Sequence, residues 1–126
     1  MGAKTVLLVE DDLEIRDVLQ DLLEREGYDV VPASNGKQAI DYLMLDRDSH
    51  PDLIILDLMT PLVTGWQVLE HLRGQPALSA LPVIVVTATP ADKPSGVSAV
   101  LRKPFRLNAL FDTVRSCLGD RPTITH

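Results

Sequence analysis

The sequence predicts an α/β domain in which a five-stranded parallel sheet carries helices on both faces. Short aliphatic runs alternate with segments whose apolar residues recur at helical spacing, and this alternation favours parallel strands joined by crossover helices. The runs are continuously apolar, which is typical of strands covered on both faces. The 126 residues are enough for one domain with a substantial core.

Each element has its own local signal. Aliphatic runs predict strands at residues 6–9, 28–31, 53–56, 83–86 and 99–101. Apolar residues three or four positions apart predict four helices facing the sheet. The first of these stripes is formed by Ile15, Val18, Leu19, Leu22 and Leu23, before the stop signal Gly27. The other stripes span residues 39–44, 68–72 and 107–118, and Thr64 to Gln67 has the pattern of a capping box at the start of the third helix.

One segment breaks this rhythm. Residues 87–98, between the fourth and fifth predicted strands, contain Pro90, Pro94 and Gly96. A long helix does not fit there, because proline lacks the N–H of the helical ladder and clashes with the preceding turn. We expect a shortened or irregular helix at this place. Residues 1–119 are expected to form the domain and residues 120–126 a polar tail.

Composition limits the class of protein. The formal net charge of -6 argues against nonspecific nucleic-acid binding, which needs a basic surface. A single cysteine, Cys117, excludes an internal disulfide framework and a cysteine-based zinc site. The sequence has no apolar run near the ~20 residues of a membrane span and no signal-peptide core. We therefore expect a cytoplasmic protein without membrane contact.

The most informative residues stand directly after the predicted strands. Acids, a hydroxyl and an ammonium follow four of the five, namely Glu10, Asp11, Asp12, Asp57, Thr87 and Lys103. Ligands of open α/β sheets bind outside the carboxyl ends of the strands. Each of these residues alone would more often be a cap, a turn residue or a solvated side chain. Their convergence on one edge of the sheet favours a functional site.

The residue types at this edge suit one chemistry. Two carboxylates 4 Å apart repel by roughly 4 kcal/mol at an effective dielectric near 20, so a cluster of them calls for a cation. Mg²⁺ typically takes one or two carboxylates together with waters and phosphate oxygens. A carboxylate can also act as a nucleophile and give an aspartyl-phosphate, whose oxygens an ammonium and a hydroxyl stabilise. The sequence therefore predicts phosphoryl transfer to a carboxylate with Mg²⁺ as cofactor.

Four stretches in this order, VLLVEDD, PDLIILDLMTPLVTGW, LPVIVVTA and LRKPF, resemble the receiver domains of response regulators in two-component signal transduction. The resemblance covers nearly the whole chain. It implies the flavodoxin-like (βα)₅ fold with strand order 2-1-3-4-5. It also implies the partners: a histidine kinase or histidine phosphotransfer protein as donor, and a downstream protein reached by protein–protein contact. A domain of this kind is not an enzyme, apart from its own phosphorylation and dephosphorylation.

The same resemblance assigns roles to the site residues. Asp57 is the phosphoacceptor, Thr87 contacts the phosphoryl group and Lys103 pairs with it. The metal ligands are Asp11, Asp57, the backbone carbonyl of Met59 and, largely through water, Glu10. A cis peptide is expected before Pro104, whereas Asp12 is interpreted as a helix-start residue and not as a ligand.

The sequence departs from the family pattern in the part that transmits the signal. The interval from Thr87 to Lys103 is shorter than usual, and Val100 stands where the family carries an aromatic residue that reorients on phosphorylation. Valine is too small and too stiff at χ1 to replace it. We therefore expect a monomer that does not dimerise through this face, with partner recognition resting on the first helix and the loops around the site.

Three other readings share parts of this pattern. A pseudo-receiver would keep the fold and only bind a partner. A flavodoxin-like flavin or nucleotide binder would want a phosphate loop after the first strand, where Glu10, Asp11 and Asp12 would repel a phosphate. A phosphatase of the haloacid dehalogenase type would want a second aspartate two residues after the nucleophile, where this chain has Met59.

Overall fold

The computed structural model describes residues 3–45, 50–60, 62–88, 94 and 96–119. Within them lie five strands: β1 (Thr5–Val9), β2 (Asp29–Ala33), β3 (Leu53–Asp57), β4 (Val83–Thr87) and β5 (Ala99–Arg102). All four strand pairings are parallel, and the order in the sheet is β2-β1-β3-β4-β5. This order confirms the predicted doubly wound sheet.

The described part of the chain contains four helices: α1 (Leu13–Arg25), α2 (Gly36–Leu43), α3 (Gly65–Arg73) and α4 (Leu107–Leu118). The starts of α1 and α3 follow the predicted capping chemistry. The Asp12 side chain accepts a hydrogen bond from the Ile15 N–H at 3.1 Å and thereby caps α1. Thr64 and Gln67 form the predicted capping box at α3, with each side chain accepting from the other residue's backbone N–H.

The sheet separates two apolar cores, because successive side chains of each strand point to opposite faces. On one face, α1 and α4 contribute Leu19, Leu23, Leu110 and Val114. On the other face, helices α2 and α3 contribute Ala39, Leu43, Val68, Leu69 and Leu72. All residues of β3 and β4 are buried, so these central strands hold their carboxyl ends in fixed positions.

Three details of the predicted helices are wrong, one of them Leu107, which begins the last predicted stripe but is 40% exposed. Ile15 and Val18 do not lie in the core, since 37% and 54% of their surface is exposed. Helix α1 packs on the sheet through Leu19 and Leu23, one turn apart, and the 100° step per residue turns Val18 away from that contact. Met44, expected to face the sheet, is the C-cap residue of α2 and is 59% exposed.

The second strand also begins and ends later than predicted. Residues Asp29 to Ala33 pair with β1 from Thr5 to Val9, which sets the boundaries of β2. Tyr28, predicted as its first residue, is buried in the core below α1, but its N–H donates to the Leu23 carbonyl at the end of that helix. The apolar run in the sequence therefore located this strand approximately but did not give its boundaries or its pairing register.

The predicted irregular helix before β5 and the polar tail at residues 120–126 lie outside the described residues. Of the segment between β4 and β5, the structure describes a turn in which the Val97 N–H donates to the Pro94 carbonyl and Gly96 has a φ of +84°. Among the described helices, none combines the length and the apolar character needed to cross a membrane.

Candidate functional site

Three carboxylates meet at the carboxyl edge of the central strands. Glu10 follows β1 and Asp57 ends β3; they are only 1% and 5% exposed, whereas Asp11 is exposed. One oxygen from each of these three side chains lies within 4.8 Å of the others. Strands β1 and β3 are direct neighbours in the sheet, so the fold itself brings these acids together.

Lys103 joins the two buried acids. Its Nζ donates to Oε1 of Glu10 at 2.7 Å and to Oδ2 of Asp57 at 2.9 Å. The lysine reaches them from the turn after β5, where the expected cis peptide precedes Pro104. The backbone N–H of Lys103 donates to the Thr87 carbonyl at 2.7 Å, which fixes the start of that turn against the end of β4.

Burial and ion pairing shift the charges of this cluster. Burial raises the pKa of Glu10, and the hydrogen bonds from Lys103 and from the backbone of Asp12 offset that effect only in part. For Lys103, burial alone would lower the pKa of the ammonium. Its hydrogen bonds to Glu10 and Asp57 outweigh that effect, so the pKa of Lys103 is raised. Lys103 is therefore firmly charged between the two acids.

Thr87 lies beside this cluster at the end of β4. Asp57 pairs with Val86 in the register of β3 and β4, so Thr87 is one residue beyond the phosphoacceptor candidate on the neighbouring strand. Its side chain is buried, with 1% of the residue exposed. The structure thus brings the predicted hydroxyl to the same edge as the predicted acids and ammonium.

The loop after Asp57 is held close to the acid. The Met59 N–H donates to Oδ1 of Asp57 at 2.9 Å, so this backbone turns back toward the carboxylate while the Met59 side chain is 63% exposed. Further along, the Val63 carbonyl accepts from the Thr60 hydroxyl at 2.9 Å and from the Gly36 N–H at 3.1 Å. These bonds tie the loop to the start of α2.

Two glycines are required by close backbone approach around this loop. A Cβ on Gly65 would lie 2.6 Å from the Asp57 carbonyl oxygen, and a Cβ on Gly36 would lie 2.1 Å from that of Val63. Both distances are far below normal contact. Leu62, by contrast, has a φ of +67° without being glycine and exposes 76% of its surface. The loop is therefore closely packed at its base and exposes an apolar side chain at its tip.

An apolar groove opens next to the acids, between α1 and the turn before α4. It has a volume of about 610 Å³ and is lined by Glu14, Ile15, Val18, Leu19, Ala88, Lys103, Pro104, Phe105 and Leu107. Lys103 belongs to both the groove and the acid cluster. The exposed positions of Ile15 and Val18 therefore form part of a surface that reaches the site.

Sequence reasoning missed one contact of the site. Nη1 of Arg16 donates to the Glu10 carbonyl at 2.9 Å. The sequence feature that could have indicated this contact is the position of Arg16, four residues after the helix-start residue Asp12 and on the first turns of α1. Such spacing is common on helices, so the sequence alone does not show that this guanidinium turns back to the strand end.

Comparison with known proteins identifies the family. The family described as the response regulator receiver domain matches residues 6–115. The chain therefore belongs to the response regulator receiver domain family of two-component signalling, as the four sequence stretches predicted. This membership also sets aside the flavin-binding and phosphatase readings.

Individual relatives cover nearly the whole chain. The chain is 34% identical over 123 residues to the polar-differentiation response regulator DivK of Brucella ovis, which covers 93% of this chain and 98% of the relative. The receiver domain of a signal transduction histidine kinase from Syntrophus aciditrophicus is 30% identical, with a TM-score of 0.81 and 98% of each chain covered.

A third relative contains a metal. The receiver domain of the sensor histidine kinase PA1611 from Pseudomonas aeruginosa PAO1 has a magnesium ion coordinated in its active-site cleft. It is 26% identical to this chain, with a TM-score of 0.83, and the match covers 94% of this chain and all of the other. The TM-scores above 0.8 over nearly the whole chain show that both structures share the fold described above.

Proposed function

We propose that this receiver domain accepts a phosphoryl group on Asp57 from a phosphohistidine, with Mg²⁺ bound at the same edge. The observation that carries the proposal is the position of Asp57, which ends a buried central strand, contacts Lys103 at 2.9 Å and has two further carboxylates within 4.8 Å. A structural ion pair alone would not need the third acid, Asp11, because Lys103 already pairs with the two buried ones.

The donor set suits Mg²⁺. The carboxylates of Glu10, Asp11 and Asp57 are hard oxygen ligands. The hydrogen bond from the Met59 N–H to Asp57 keeps that backbone beside the cluster, and the Met59 carbonyl would be an additional ligand. By the family resemblance, Glu10 would act largely through water; its two carboxylate oxygens accept from Lys103 and from the Asp12 N–H. When bound, the cation neutralises charge on the acids and on phosphoryl oxygens.

In the transfer step, a carboxylate oxygen of Asp57 attacks phosphorus while the bond from phosphorus to the donor imidazole breaks. The leaving imidazole keeps the electron pair of that bond, and an acyl phosphate forms on Asp57. Lys103 is poised to follow the negative charge from the carboxylate to the phosphoryl oxygens, because its Nζ already contacts Oδ2. The Thr87 hydroxyl would donate to another phosphoryl oxygen from the end of β4.

The donor would dock on α1 and the turn before α4. The apolar groove there includes Lys103 of the site, so a histidine presented beside the groove would face Asp57. An acidic stripe lines the exposed side of α1 at spacings of three and four residues: Glu14, Asp17, Asp21 and Glu24. A helical donor with apolar side chains and a basic flank complements this surface in shape and charge.

Other parts of the proposed function rest on the sequence and on the family to which the chain belongs. The signal would pass onward by contact with a downstream protein in the cytoplasm, and the only reactions of the domain would be its own phosphorylation and dephosphorylation. We expect the domain to act as a monomer, without nucleic acid or membrane as partner.

The test is phosphorylation by acetyl phosphate with Mg²⁺, followed by intact mass. One phosphoryl group should appear on the wild-type chain, and Asp57→Asn should prevent it. Asp12→Asn is the matched control, because it also removes one negative charge from the edge while asparagine still caps α1. A wild-type chain that stays unmodified while another receiver is phosphorylated would favour the pseudo-receiver reading instead.

A further inference from the structure

Arg16 connects helix α1 to the acidic end of β1 in two ways. Its Nη1 donates to the Glu10 carbonyl at 2.9 Å, in a partly buried contact. Its backbone N–H donates to the Asp12 carbonyl at 2.9 Å as an early hydrogen bond of the helix. The start of α1 and the loop that carries the acids are thus joined by a side chain as well as by the backbone.

The contact bears on Asp11, the exposed acid of the site. The peptide group before Asp11 has its carbonyl held by Arg16. The peptide group after Asp11 has its N–H, that of Asp12, held by Oε2 of Glu10 at 3.2 Å. Glu10 itself is anchored to β2, because its N–H donates to the Ala33 carbonyl at 3.0 Å. With both flanking peptide groups held, the direction in which the Asp11 side chain leaves the backbone is fixed.

We propose that Arg16 is a positioning residue of the metal site. It holds the peptide group before Asp11, so that the Asp11 carboxylate is directed toward the carboxylates of Glu10 and Asp57. The proposal rests on the proposed function, in which these three acids hold Mg²⁺. Groups that orient metal ligands without touching the metal commonly govern affinity in this way.

The positioning role has an unusual experimental signature, because it opposes simple electrostatics. A guanidinium near a cation site repels the cation, so removing its charge should strengthen Mg²⁺ binding if charge were its only effect. Loss of the hydrogen bond to the Glu10 carbonyl should instead weaken binding, since the Asp11 side chain would sample other directions. The sign of the change therefore separates the two roles.

The experiment measures Mg²⁺ affinity by titration calorimetry for the full chain and three variants. Arg16→Gln removes the charge and shortens the donor, and we expect affinity to fall by roughly tenfold, as for other residues that orient metal ligands. Arg16→Lys keeps the charge and one flexible donor. Its Mg²⁺ affinity should therefore lie between those of wild type and Arg16→Gln, about threefold below wild type. Arg25→Gln is the control, because Arg25 lies on the same helix and pairs at 3.1 Å with the exposed Asp21.

Amide resonances give a second readout that does not depend on metal. In Arg16→Gln without Mg²⁺, the resonances of Asp11 and Asp12 should shift while those of β4 stay in place. Thermal unfolding of each variant shows that it is folded. Should Arg16→Gln fail to fold, the reduced affinity of Arg16→Lys at unchanged charge carries the test.

Unchanged or tighter Mg²⁺ binding in a folded Arg16→Gln would overturn the proposal, as would wild-type affinity in Arg16→Lys if only that variant folds. An equal loss of Mg²⁺ affinity in Arg25→Gln would show that the loss is not specific to the Arg16 contact with the Glu10 carbonyl, and would also overturn the proposal. These results differ from failure of the proposed function, in which the wild-type chain itself would not bind Mg²⁺.

Discussion

Replacing Lys103 with methionine should destabilise the domain in the absence of Mg²⁺. Methionine has a similar length but leaves Glu10 and Asp57 as neighbouring buried carboxylates without a counter-charge; their side chains are 2% and 7% exposed. Breaking a buried ion pair by removing one partner costs roughly 3–5 kcal/mol. The lysine side chain is 21% exposed, so water reaches the site and we expect the lower end of that range, about 3 kcal/mol.

Urea unfolding with and without Mg²⁺ measures this effect. In thermal unfolding, the same loss of about 3 kcal/mol would lower the Tm of a domain of this size by roughly 10 °C. Added Mg²⁺ should restore more stability to Lys103→Met than to wild type, because the ammonium no longer competes for the acids and binding stabilises the folded state by mass action. Lys37→Met is the control, since Lys37 forms an exposed pair with Asp41 and should change stability by less than about 1 kcal/mol. A Lys103→Met variant as stable as wild type without Mg²⁺ would refute the reasoning.

Four further outcomes are expected. Asp11→Asn should abolish measurable Mg²⁺ binding in calorimetry while Asp12→Asn keeps it, and equal losses would contradict the separation of ligand from helix cap. Because the pKa of Lys103 is raised in the folded state, its ion pairs stabilise the fold fully below the ordinary lysine pKa; the stability difference from Lys103→Met should shrink as pH rises through the raised value, and a difference that grows would be inconsistent. Gly65→Ala should lower the free energy of unfolding by about 2–3 kcal/mol, since the added Cβ meets a backbone oxygen at 2.6 Å; an unchanged urea midpoint would argue against the close approach. Beryllofluoride should shift amide resonances near the acids without large shifts at Val100 or dimer formation in light scattering, and a dimer would mean that the expected monomeric response is wrong.

The residues at the carboxyl edge of the sheet were predictable because the end of each buried strand is marked in the sequence by a change from aliphatic to charged or polar residues. The aliphatic run before Asp57 stops abruptly at a charged residue, and a buried parallel strand imposes that pattern directly. The same holds for Glu10 after β1. Neighbouring parallel strands end on the same edge, so the meeting of these two acids followed from topology alone.

The fraction of each helix surface that other elements bury was not predictable in the same way. The spacing of Ile15, Val18 and Leu19 shows that they share one side of α1, but spacing does not tell how much of that side another element covers. In the structure Leu19 is 4% exposed and Val18 54%. Sequence periodicity gives the width of an apolar stripe, whereas the buried width depends on which parts of that stripe the neighbouring elements cover.

The Arg16 contact was unpredictable for a related reason. Hydrogen bonds from long side chains to backbone carbonyls depend on rotamers, and a guanidinium can reach many acceptors within the same helical turn. The sequence contains the donor and the carbonyl six positions apart, yet only the angle at which α1 leaves β1 brings them together. Local geometry of this kind appears only once the elements are placed.

The separation of the interior into two cores allows the two sides of the domain to diverge independently. Helices α1 and α4, which border the groove, rest on one core, while α2 and α3 rest on the other, and the buried strands β3 and β4 stand between them. Substitutions on the α1 side therefore need no compensating repacking beneath α3. A lineage of such domains can acquire new signalling partners by altering one helical layer, while the acids at the strand ends keep their chemistry.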